Sequence, residues 1–384
     1  MLRVIGKFFA SFLLVFFTFY CRASLPPHLS ENRLKTHAND NHIPVVFVPG
    51  IKGSILKDRN GSIQWLTAGQ ALAFSTPDLR LAGATRELIP SGAIARVTAI
   101  PRVIDVDLYG PWLERMSQVE GIDFYVFSYD WRKDNLNNRD KLILFLDEIQ
   151  KKYSMKPVLI GHSMGGMLSF SALNEKPDLV QRVVLVGVPF RGGIGYMKDL
   201  YSGNATGLNS KIQSPCMIAK YESVYGFFPR LDSIDSQGLV LDHSGGVLPI
   251  DFFKESAWRE NSLGFYGQKC KPEDVPSALD FQNILSRAKQ FRESLDLSQK
   301  LIKSSPKMLL VHAQNRPTRK AFKKTEKGWD MEIVPREKGD GSVLFEHSIP
   351  QPGLYYEKIL TENEHSVMLN DKLVQERILT FLKN

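Results

Sequence analysis

The stretch "KPVLIGHSMGGML", residues 156–168, places a serine between two glycines directly after a short apolar run. The run that ends at Ile160 predicts a buried strand, and the residues from Met164 onward predict a helix. A Gly-x-Ser-x-Gly turn between a strand and a helix is a nucleophile elbow, in which the glycines let both elements approach a sharply turned serine. We therefore predict that Ser163 is a nucleophile rather than a small residue in a tight turn.

The segments around this turn alternate between apolar runs and amphipathic helices. Apolar residues at helical spacing predict helices at 139–153 and at 372–384. Such alternation predicts a parallel sheet with helices on both faces, which is an α/β fold. The apolar runs predict strands at "IPVVFVPG" (43–50), "DFYVFSYD" (123–130), "KPVLI" (156–160), "QRVVLVGVPF" (181–190) and "KMLLVHA" (307–313). One further strand of the sheet is expected in the long segment between the first two of these runs.

The N-terminal residues predict export. They combine two basic residues, an apolar stretch and small residues at its end, which is typical of a signal peptide. An uncleaved membrane anchor is the alternative, although the apolar run is shorter than the ~20 residues that span a bilayer. We expect a secreted or exported protein with a signal peptide at 1–23, a polar leader at 24–42, and one domain at 43–384 that carries an early insertion (about 57–100) and a cap (about 191–306).

The composition is that of an ordinary globular protein, with 43% hydrophobic and 23% charged residues in a chain of 384. Its net charge of +8 is modest, and no surface that alternates basic and aromatic residues indicates a nucleic-acid partner. The basic cluster at 316–324 is interpreted as a solvated loop, with contact to an anionic lipid surface as the alternative. Export would allow Cys216 and Cys270 to pair, which the sequence leaves open.

A serine nucleophile requires a base, and His365 is the candidate. It lies in "TENEHSVMLND", a loop before the last predicted helix, and follows the serine in the chain. The other histidines are less suited to this role, because His162 packs beside the elbow, His243 lies in the cap, His312 lies on a predicted buried strand and His347 follows the acid too closely.

The base requires an acid that orients it, and the amides around the serine must stabilise an oxyanion. Asp340 lies in the glycine-flanked turn "EKGDGSV", from which a carboxylate can reach a histidine, and Asp330 is the reserve candidate.

The expected oxyanion donors are two backbone N–H groups. One belongs to Met164, directly after the nucleophile, and the other to Ile51, in the turn after the first strand. This chemistry needs no metal and no organic cofactor, and the sequence contains no cluster of metal ligands.

Several ordered motifs resemble the lecithin:cholesterol acyltransferase family, which includes lysosomal phospholipase. They occur in the family's order over nearly the whole mature chain: "VVFVPGIKGS" (45–54), "SYDWR" (128–132), "GHSMGG" (161–166), "VGVPFRGG" (186–193), "NRPT" (315–318), "GDGSV" (339–343) and "EHSVML" (364–369). The resemblance implies an α/β-hydrolase fold with Ser163, Asp340 and His365 as its triad. We interpret Asp130 and Arg132 of "SYDWR" as structural residues at the end of a strand, with a catalytic role for either as the alternative.

The resemblance also implies the substrate. It predicts a lipid acyl-ester hydrolase or O-acyltransferase that acts on phospholipid or another acyl lipid at a membrane or lipoprotein-like surface. Cap aromatics such as Phe227 and Phe228 are expected to line an acyl cleft. Trp65 is expected to contact lipid, although this sequence has no cysteine where animal members close the corresponding loop with a disulfide. A neutral-lipid lipase or short-chain carboxylesterase is one alternative. An inactive α/β-hydrolase that serves as a binding module is another.

Overall fold

A computed structural model describes residues 41–81, 87–100, 104–233, 238–268, 270–332 and 334–383. The predicted signal peptide (1–23) and all but the last two residues of the predicted leader lie outside these ranges. In the described part of the chain, no helix is both long and apolar enough to cross a membrane.

A six-stranded sheet forms the centre of the molecule, and every neighbouring pair of its strands is parallel. Its inner strands are buried along nearly their whole length, as expected for a sheet that is covered on both faces. The strands lie in the order β16 (Glu357–Leu360), β11 (Lys307–His312), β9 (Arg182–Val186), β8 (Val158–His162), β1 (Ile43–Val48) and β7 (Ile122–Val126).

The α-helices of the described residues lie between these strands and in the two insertions. Their bounds are α1 (Ala68–Ala71), α2 (Gly110–Ser117), α3 (Asn135–Tyr153), α4 (Met164–Glu175), α5 (Gly195–Ser202), α6 (Pro215–Ile218), α7 (Glu255–Glu260), α8 (Ala278–Glu293), α9 (Gln299–Lys303) and α10 (Lys372–Lys383).

Different helices cover the two faces of the central sheet. Alternate residues of β1 point to opposite sides, so that Val46 and Val48 belong to one hydrophobic cluster while Val45 and Phe47 belong to another. The first cluster includes the apolar sides of α3 and α4, and the second includes those of α2 and α10. The predicted parallel sheet with helices on both faces is therefore confirmed.

The predicted additional strand between β1 and β7 is wrong. In the described ranges, that segment forms two small antiparallel sheets instead, made of β2 (Ser54–Lys57), β3 (Ile63–Trp65), β4 (Ile89–Ala93), β5 (Arg96–Ile100) and β6 (Ile104–Asp107). The sixth strand of the central sheet is β16, near the C-terminus. It lies at the edge with one neighbour and mostly exposed side chains, such as those of Glu357 and Lys358, so no apolar run marks it.

The segment between β9 and β11, in which we predicted a cap, folds into the long helix α8 and several shorter helices around an aromatic core. Trp258 is fully buried there and packs edge-on against Phe228, with ring centroids 5.4 Å apart, and against Phe281 at 5.8 Å. Cys216 and Cys270 are joined by a disulfide, which answers the question that the sequence left open.

Residues beyond β11 complete this region. β10 (Val240–Leu241) pairs with β13 (Phe322–Thr325), which pairs in turn with β14 (Gly328–Asp330). β12 (Arg316–Arg319) pairs with β15 (Arg336–Gly339). The basic cluster at 316–324 therefore contains two strands, and its interpretation as a loop is wrong.

Candidate active site

The elbow at Ser163 has the backbone that the sequence predicts. β8 ends at His162, α4 begins at Met164, and Ser163 between them has φ 54° and ψ −123°. A positive φ is uncommon for a residue with a side chain. A Cβ on Gly165 would lie only 2.3 Å from the carbonyl oxygen of Val48, so glycine is what lets α4 approach β1.

Three side chains from distant parts of the chain form a hydrogen-bonded series at this elbow. His365 Nε2 lies 2.8 Å from Ser163 Oγ, and His365 Nδ1 lies 2.8 Å from Asp340 Oδ2. Because an ionised carboxylate can only accept, Nδ1 of His365 carries a proton and Nε2 is free to accept from the serine. The structure thus brings together the three residues that the sequence predicts as a triad.

The loops after two strands hold the acid and the base in place. Asp340 directly follows β15, and its Oδ1 accepts hydrogen bonds from the N–H of Ser342 at 2.8 Å and of Val343 at 2.6 Å. His365 begins a 3₁₀-helix after β16, and its own N–H donates to the Asp340 carbonyl at 3.0 Å. Both side chains are therefore fixed by backbone contacts as well as by each other.

The electrostatics of this pair favour an ionised acid and a strong base. Burial alone would lower the pKa of His365, but the charge of Asp340 and the hydrogen bond to it outweigh burial and raise that pKa above its usual value. Burial alone would raise the pKa of Asp340, but His365 and the two amides lower it. Asp340 therefore remains a carboxylate that can stabilise a protonated imidazole.

His162 does not contact the serine hydroxyl and holds other groups in place. Its Nε2 lies 2.9 Å from the carbonyl oxygen of His365, and its Nδ1 lies 2.7 Å from Tyr109 Oη. Burial, followed by the nearby charge of His365, lowers the pKa of His162 to about 3. This neutral imidazole lies beside the elbow, as the sequence predicts.

The other candidate bases and the reserve acid are not part of the hydrogen-bonded series at Ser163. His312 is buried at the end of β11 and hydrogen-bonded to Ser348 Oγ at 2.9 Å, and its pKa is lowered to about 4 by burial. The ring of His347 lies 2.7 Å from the carbonyl oxygen of Gly192. Asp330, the reserve acid, lies on β14, whereas the carboxylate on His365 is that of Asp340.

The turn after β1, residues 49–53, lies opposite the serine, and we call it the β1 turn. The N–H of Gly50 donates to Tyr109 Oη at 2.9 Å, and that of Gly53 donates to the Gly50 carbonyl at 3.0 Å. In the described part of the chain, the N–H groups of Ile51, Lys52 and Met164 have no hydrogen-bond partner. The predicted donors Ile51 and Met164 are thus free to bind an oxyanion, and so is Lys52.

A cavity of about 380 Å³ opens above Ser163. Phe227, Ile194 and Leu239 contribute apolar surface to it, as expected for an acyl site. Of the three aromatics predicted to contact lipid, only Phe227 lines this cavity. Phe228 instead lies in the core of the cap, stacked on Phe252 at 4.7 Å, and Trp65 packs edge-on against Trp131 at 5.3 Å.

The predictions for Phe228 and Trp65 are therefore corrected for a common reason. Both side chains are large and bury themselves in local aromatic clusters, where they are 0% and 4% exposed. The indole Nε1–H of Trp65 donates to the Lys52 carbonyl at 2.8 Å, so this side chain helps to hold the β1 turn in place.

Sequence reasoning missed two tyrosines that hold the β1 turn. Tyr109 accepts from Gly50, and Tyr129 Oη donates to the Pro49 carbonyl at 2.8 Å. Tyr129 lies in the "SYDWR" motif, which was a signal for a structural role. Tyr109 has no comparable local signal, because its partners are far away in the chain.

Comparison with known proteins bears on the family. The family model described as lecithin:cholesterol acyltransferase matches residues 110–246, a range that contains Ser163 and ends before Asp340 and His365. A curated protein of Saccharomyces cerevisiae, "Uncharacterized protein YJR098C", is 25% identical over 169 residues, which are 41% of this chain and 25% of that protein. The match thus spans about a quarter of the length of this curated relative.

Solved structures bear on the fold. A chain in the crystal structure of the Tle4-Tli4 complex is 14% identical and has a TM-score of 0.53, with 89% of this chain and 98% of that chain covered. The mature form of the Bacillus licheniformis lipase BlEst2 is 15% identical with a TM-score of 0.42, over 91% of this chain and 96% of that chain. The parallel sheet and the elbow at Ser163 show an α/β-hydrolase fold, and residues 110–246 of the chain are similar to the lecithin:cholesterol acyltransferase family.

Proposed function

We propose that the protein is a serine-dependent acyl-ester hydrolase or O-acyltransferase that acts on acyl lipids. The observation that carries this proposal is the unbroken series of hydrogen bonds from Asp340 through His365 to Ser163, at the base of a cavity. A serine hydroxyl alone is a weak nucleophile, and a positioned base with an ionised acid behind it is what activates one. The family model supports the same class of reaction.

In the proposed acylation step, His365 Nε2 takes the proton of Ser163 while Oγ attacks the ester carbonyl carbon. The oxygen that becomes negative accepts hydrogen bonds from the N–H of Met164 and from that of Ile51 or Lys52. His365 then donates its new proton to the departing alcohol oxygen, which leaves the acyl group on Ser163. Asp340 keeps its negative charge throughout and stabilises the imidazolium.

Deacylation repeats the same steps with a new nucleophile. Water attacks the acyl-serine to release a fatty acid, or an alcohol attacks it to form a new ester, while His365 again takes and returns the proton. Hydrolysis and transfer differ only in this acceptor.

An acyl lipid is the proposed substrate, at a membrane or lipoprotein-like surface after export of the protein. The apolar part of the cavity around Phe227, Ile194 and Leu239 suits an acyl chain. Phospholipid is the first candidate because of the family resemblance. A neutral-lipid lipase or short-chain carboxylesterase is the second candidate, since the same cavity also suits those esters. The intact hydrogen-bonded triad argues against an inactive binding module.

A comparison of the wild-type protein with Ser163→Ala tests this function. Both are incubated with mixed vesicles of phosphatidylcholine, triacylglycerol and cholesterol, and free fatty acid is resolved from newly formed sterol ester. We expect product from the wild type and from Ser202→Ala, an exposed serine outside the cavity, and none from Ser163→Ala. Equal product from Ser163→Ala and wild type would refute the proposal.

A further inference from the structure

One wall of the cavity is strongly basic. Four cationic side chains line it, and Asp199 is the one carboxylate among the described residues that line the cavity. The cations come from three distant segments, namely the β1 turn, α5 and the end of β12. We call this set the cationic wall, and it consists of Lys52, Lys198, Arg319 and Lys320.

Lys52 lies beside the candidate oxyanion donors and is incompletely neutralised. Its Nζ is 3.6 Å from Asp199 Oδ2, which is longer than a hydrogen bond, and 5.6 Å from the centroid of the Tyr196 ring. Burial lowers the pKa of Lys52, and the charge of Asp199 and its contact only partly offset this. A negative group in the cavity would therefore stabilise the charged ammonium.

Arg319 adds a permanent positive charge to the same wall. Its Nε donates to the Met331 carbonyl at 2.7 Å, while its terminal nitrogen lies 3.8 Å from Glu332. Burial also lowers the pKa of Arg319, although a guanidinium stays charged at any working pH. The guanidinium therefore has donor capacity left for a ligand.

The carboxylates that pair with the outer cations are exposed to solvent and are not among the residues that line the cavity. Glu332, the partner of Lys198 and Arg319, is 62% exposed, and Glu337, the partner of Lys320, is 46% exposed. Neither lines the cavity. Solvent screens such exposed charges, so the positive charge is not cancelled on the cavity side.

We propose that the cationic wall binds the phosphate of an anionic lipid headgroup while the scissile ester lies at Ser163. This inference rests on the proposed function and narrows its substrate to acyl esters with a net negative phosphate group. A glycerol backbone joins such a phosphate to the ester by only a few bonds, and the cavity contains both Ser163 and the cations. Arginine binds phosphate with two parallel N–H groups and lysine binds it as a point charge.

The test uses dihexanoyl lipids below their micelle concentration, so that adsorption to a surface does not contribute. The ratio of kcat/KM for phosphatidylglycerol to that for diacylglycerol is measured, and phosphatidylcholine is compared with both. We expect the wild type to favour phosphatidylglycerol, and Arg319→Gln and Lys52→Met each to lower the ratio about tenfold, mainly through KM. Because a ratio is measured, a general loss of activity in either variant cancels.

Lys323→Met is the matched control. Lys323 belongs to the same basic segment and to β13 but does not line the cavity, so this variant should keep the wild-type ratio. An unchanged ratio in both Arg319→Gln and Lys52→Met would overturn the headgroup site. The headgroup site would also be overturned if Lys323→Met lowered the ratio as much as the other two variants, because the effect would then come from net charge.

Two further measurements are needed. One distinguishes a lipid headgroup from free phosphate as the ligand of the cationic wall, and the other distinguishes failure of the headgroup site from failure of the proposed function. Inorganic phosphate should compete with phosphatidylglycerol in the wild type and less so in Arg319→Gln. If it competes while the wild type shows no headgroup preference, the wall binds free phosphate and the headgroup proposal is wrong. If Ser163→Ala keeps full activity, the proposed function itself fails, whereas Ser163-dependent hydrolysis with an unchanged ratio removes only the headgroup site.

Discussion

Tyr109 Oη lies 2.7 Å from His162 Nδ1, and this contact joins the β1 turn to the loop that carries His365. The carbonyl of His365 can only accept, so Nε2 of His162 must be protonated and Nδ1 must accept. Tyr109 therefore donates to His162 and accepts from the Gly50 N–H. One continuous series of hydrogen bonds thus connects the β1 turn, which contains candidate oxyanion donors, with the backbone of the candidate base.

Removal of the Tyr109 hydroxyl tests whether this series positions the site. Tyr109→Phe leaves the Gly50 N–H and His162 Nδ1 without a partner, which allows the β1 turn to shift. Because the N–H groups of the turn are proposed to bind the oxyanion in the transition state, we expect kcat to fall about tenfold with KM nearly unchanged. We also expect a loss of about 1–3 kcal/mol in the free energy of unfolding. Steady-state kinetics and urea denaturation measure the two quantities.

Tyr225→Phe is the control for this variant. Tyr225 is also a buried tyrosine with one hydrogen bond, to the Ala219 carbonyl at 2.7 Å, but it lies in the core of the cap. It should lose comparable stability without the fall in kcat. The same kcat in both variants would show that Tyr109 is only structural.

The pH dependence of activity follows from the contact between His365 and Asp340. The free imidazole is the active base, so kcat/KM should rise with pH through the pKa of His365. Because Asp340 raises that pKa, the rising limb should lie above the usual value of 6.5. In Asp340→Asn the limb should move to lower pH, and kcat should fall by about 10⁴-fold because the histidine loses its orienting acid.

A pH profile measured with the wild type and Asp340→Asn decides this point. Asp330→Asn is the control, since Asp330 lies on β14 and the hydrogen bond to His365 comes from Asp340. If Asp330→Asn shifted the limb as far as Asp340→Asn, the assignment of the acid would be wrong.

The sequence was sufficient for those parts of the site that have a local pattern. Ser163 is marked by a strand, two glycines and a helix within thirteen residues, and the order of the chain points to Asp340 and His365. β16 was missed because its exposed edge needs no apolar residues. Local patterns and chain order thus predicted the triad and the buried strands, but not the exposed edge strand.

Contacts over long separations in sequence were beyond the reach of such patterns. The hydrogen bond from Tyr109 to His162 joins residues 53 positions apart, and that from His162 to His365 joins residues 203 positions apart. Phe228 and Trp65 were placed at the substrate because aromatics suit an acyl cleft, yet aromatics suit a core equally well. Only the packing decides between these two locations.

The buried ion pair of the "SYDWR" motif should govern stability rather than chemistry. Arg132 is 0% exposed and binds both carboxylate oxygens of Asp130, at 2.8 Å and 2.7 Å. Arg132→Met leaves that carboxylate buried without its counter-charge, so we expect a loss of about 3–5 kcal/mol in the free energy of unfolding. Urea denaturation measures this loss, and kcat per folded molecule should stay within a few-fold of wild type.

The double variant Asp130→Leu with Arg132→Met distinguishes the pair from its single members. With both charges removed, no uncompensated carboxylate remains, and the double variant should be more stable than Arg132→Met alone. A kcat that falls as steeply as in Asp340→Asn would instead indicate that Arg132 acts in the reaction.

The tight approach of α4 to β1 should tolerate no side chain at Gly165. A Cβ there would lie 2.3 Å from the carbonyl oxygen of Val48 and 2.4 Å from that of Pro49, and both atoms belong to the backbone at the β1 turn. Gly165→Ala must therefore displace the turn or the helix, which we expect to lower the free energy of unfolding by about 3 kcal/mol and to lower kcat.

Gly69→Ala, in α1, is the matched control, because its Cβ would meet no atom within 4 Å. It should keep or slightly raise stability, since alanine favours a helix over glycine by about 1 kcal/mol. Equal stability of the two variants in thermal and urea unfolding would show that the elbow does not depend on this close contact.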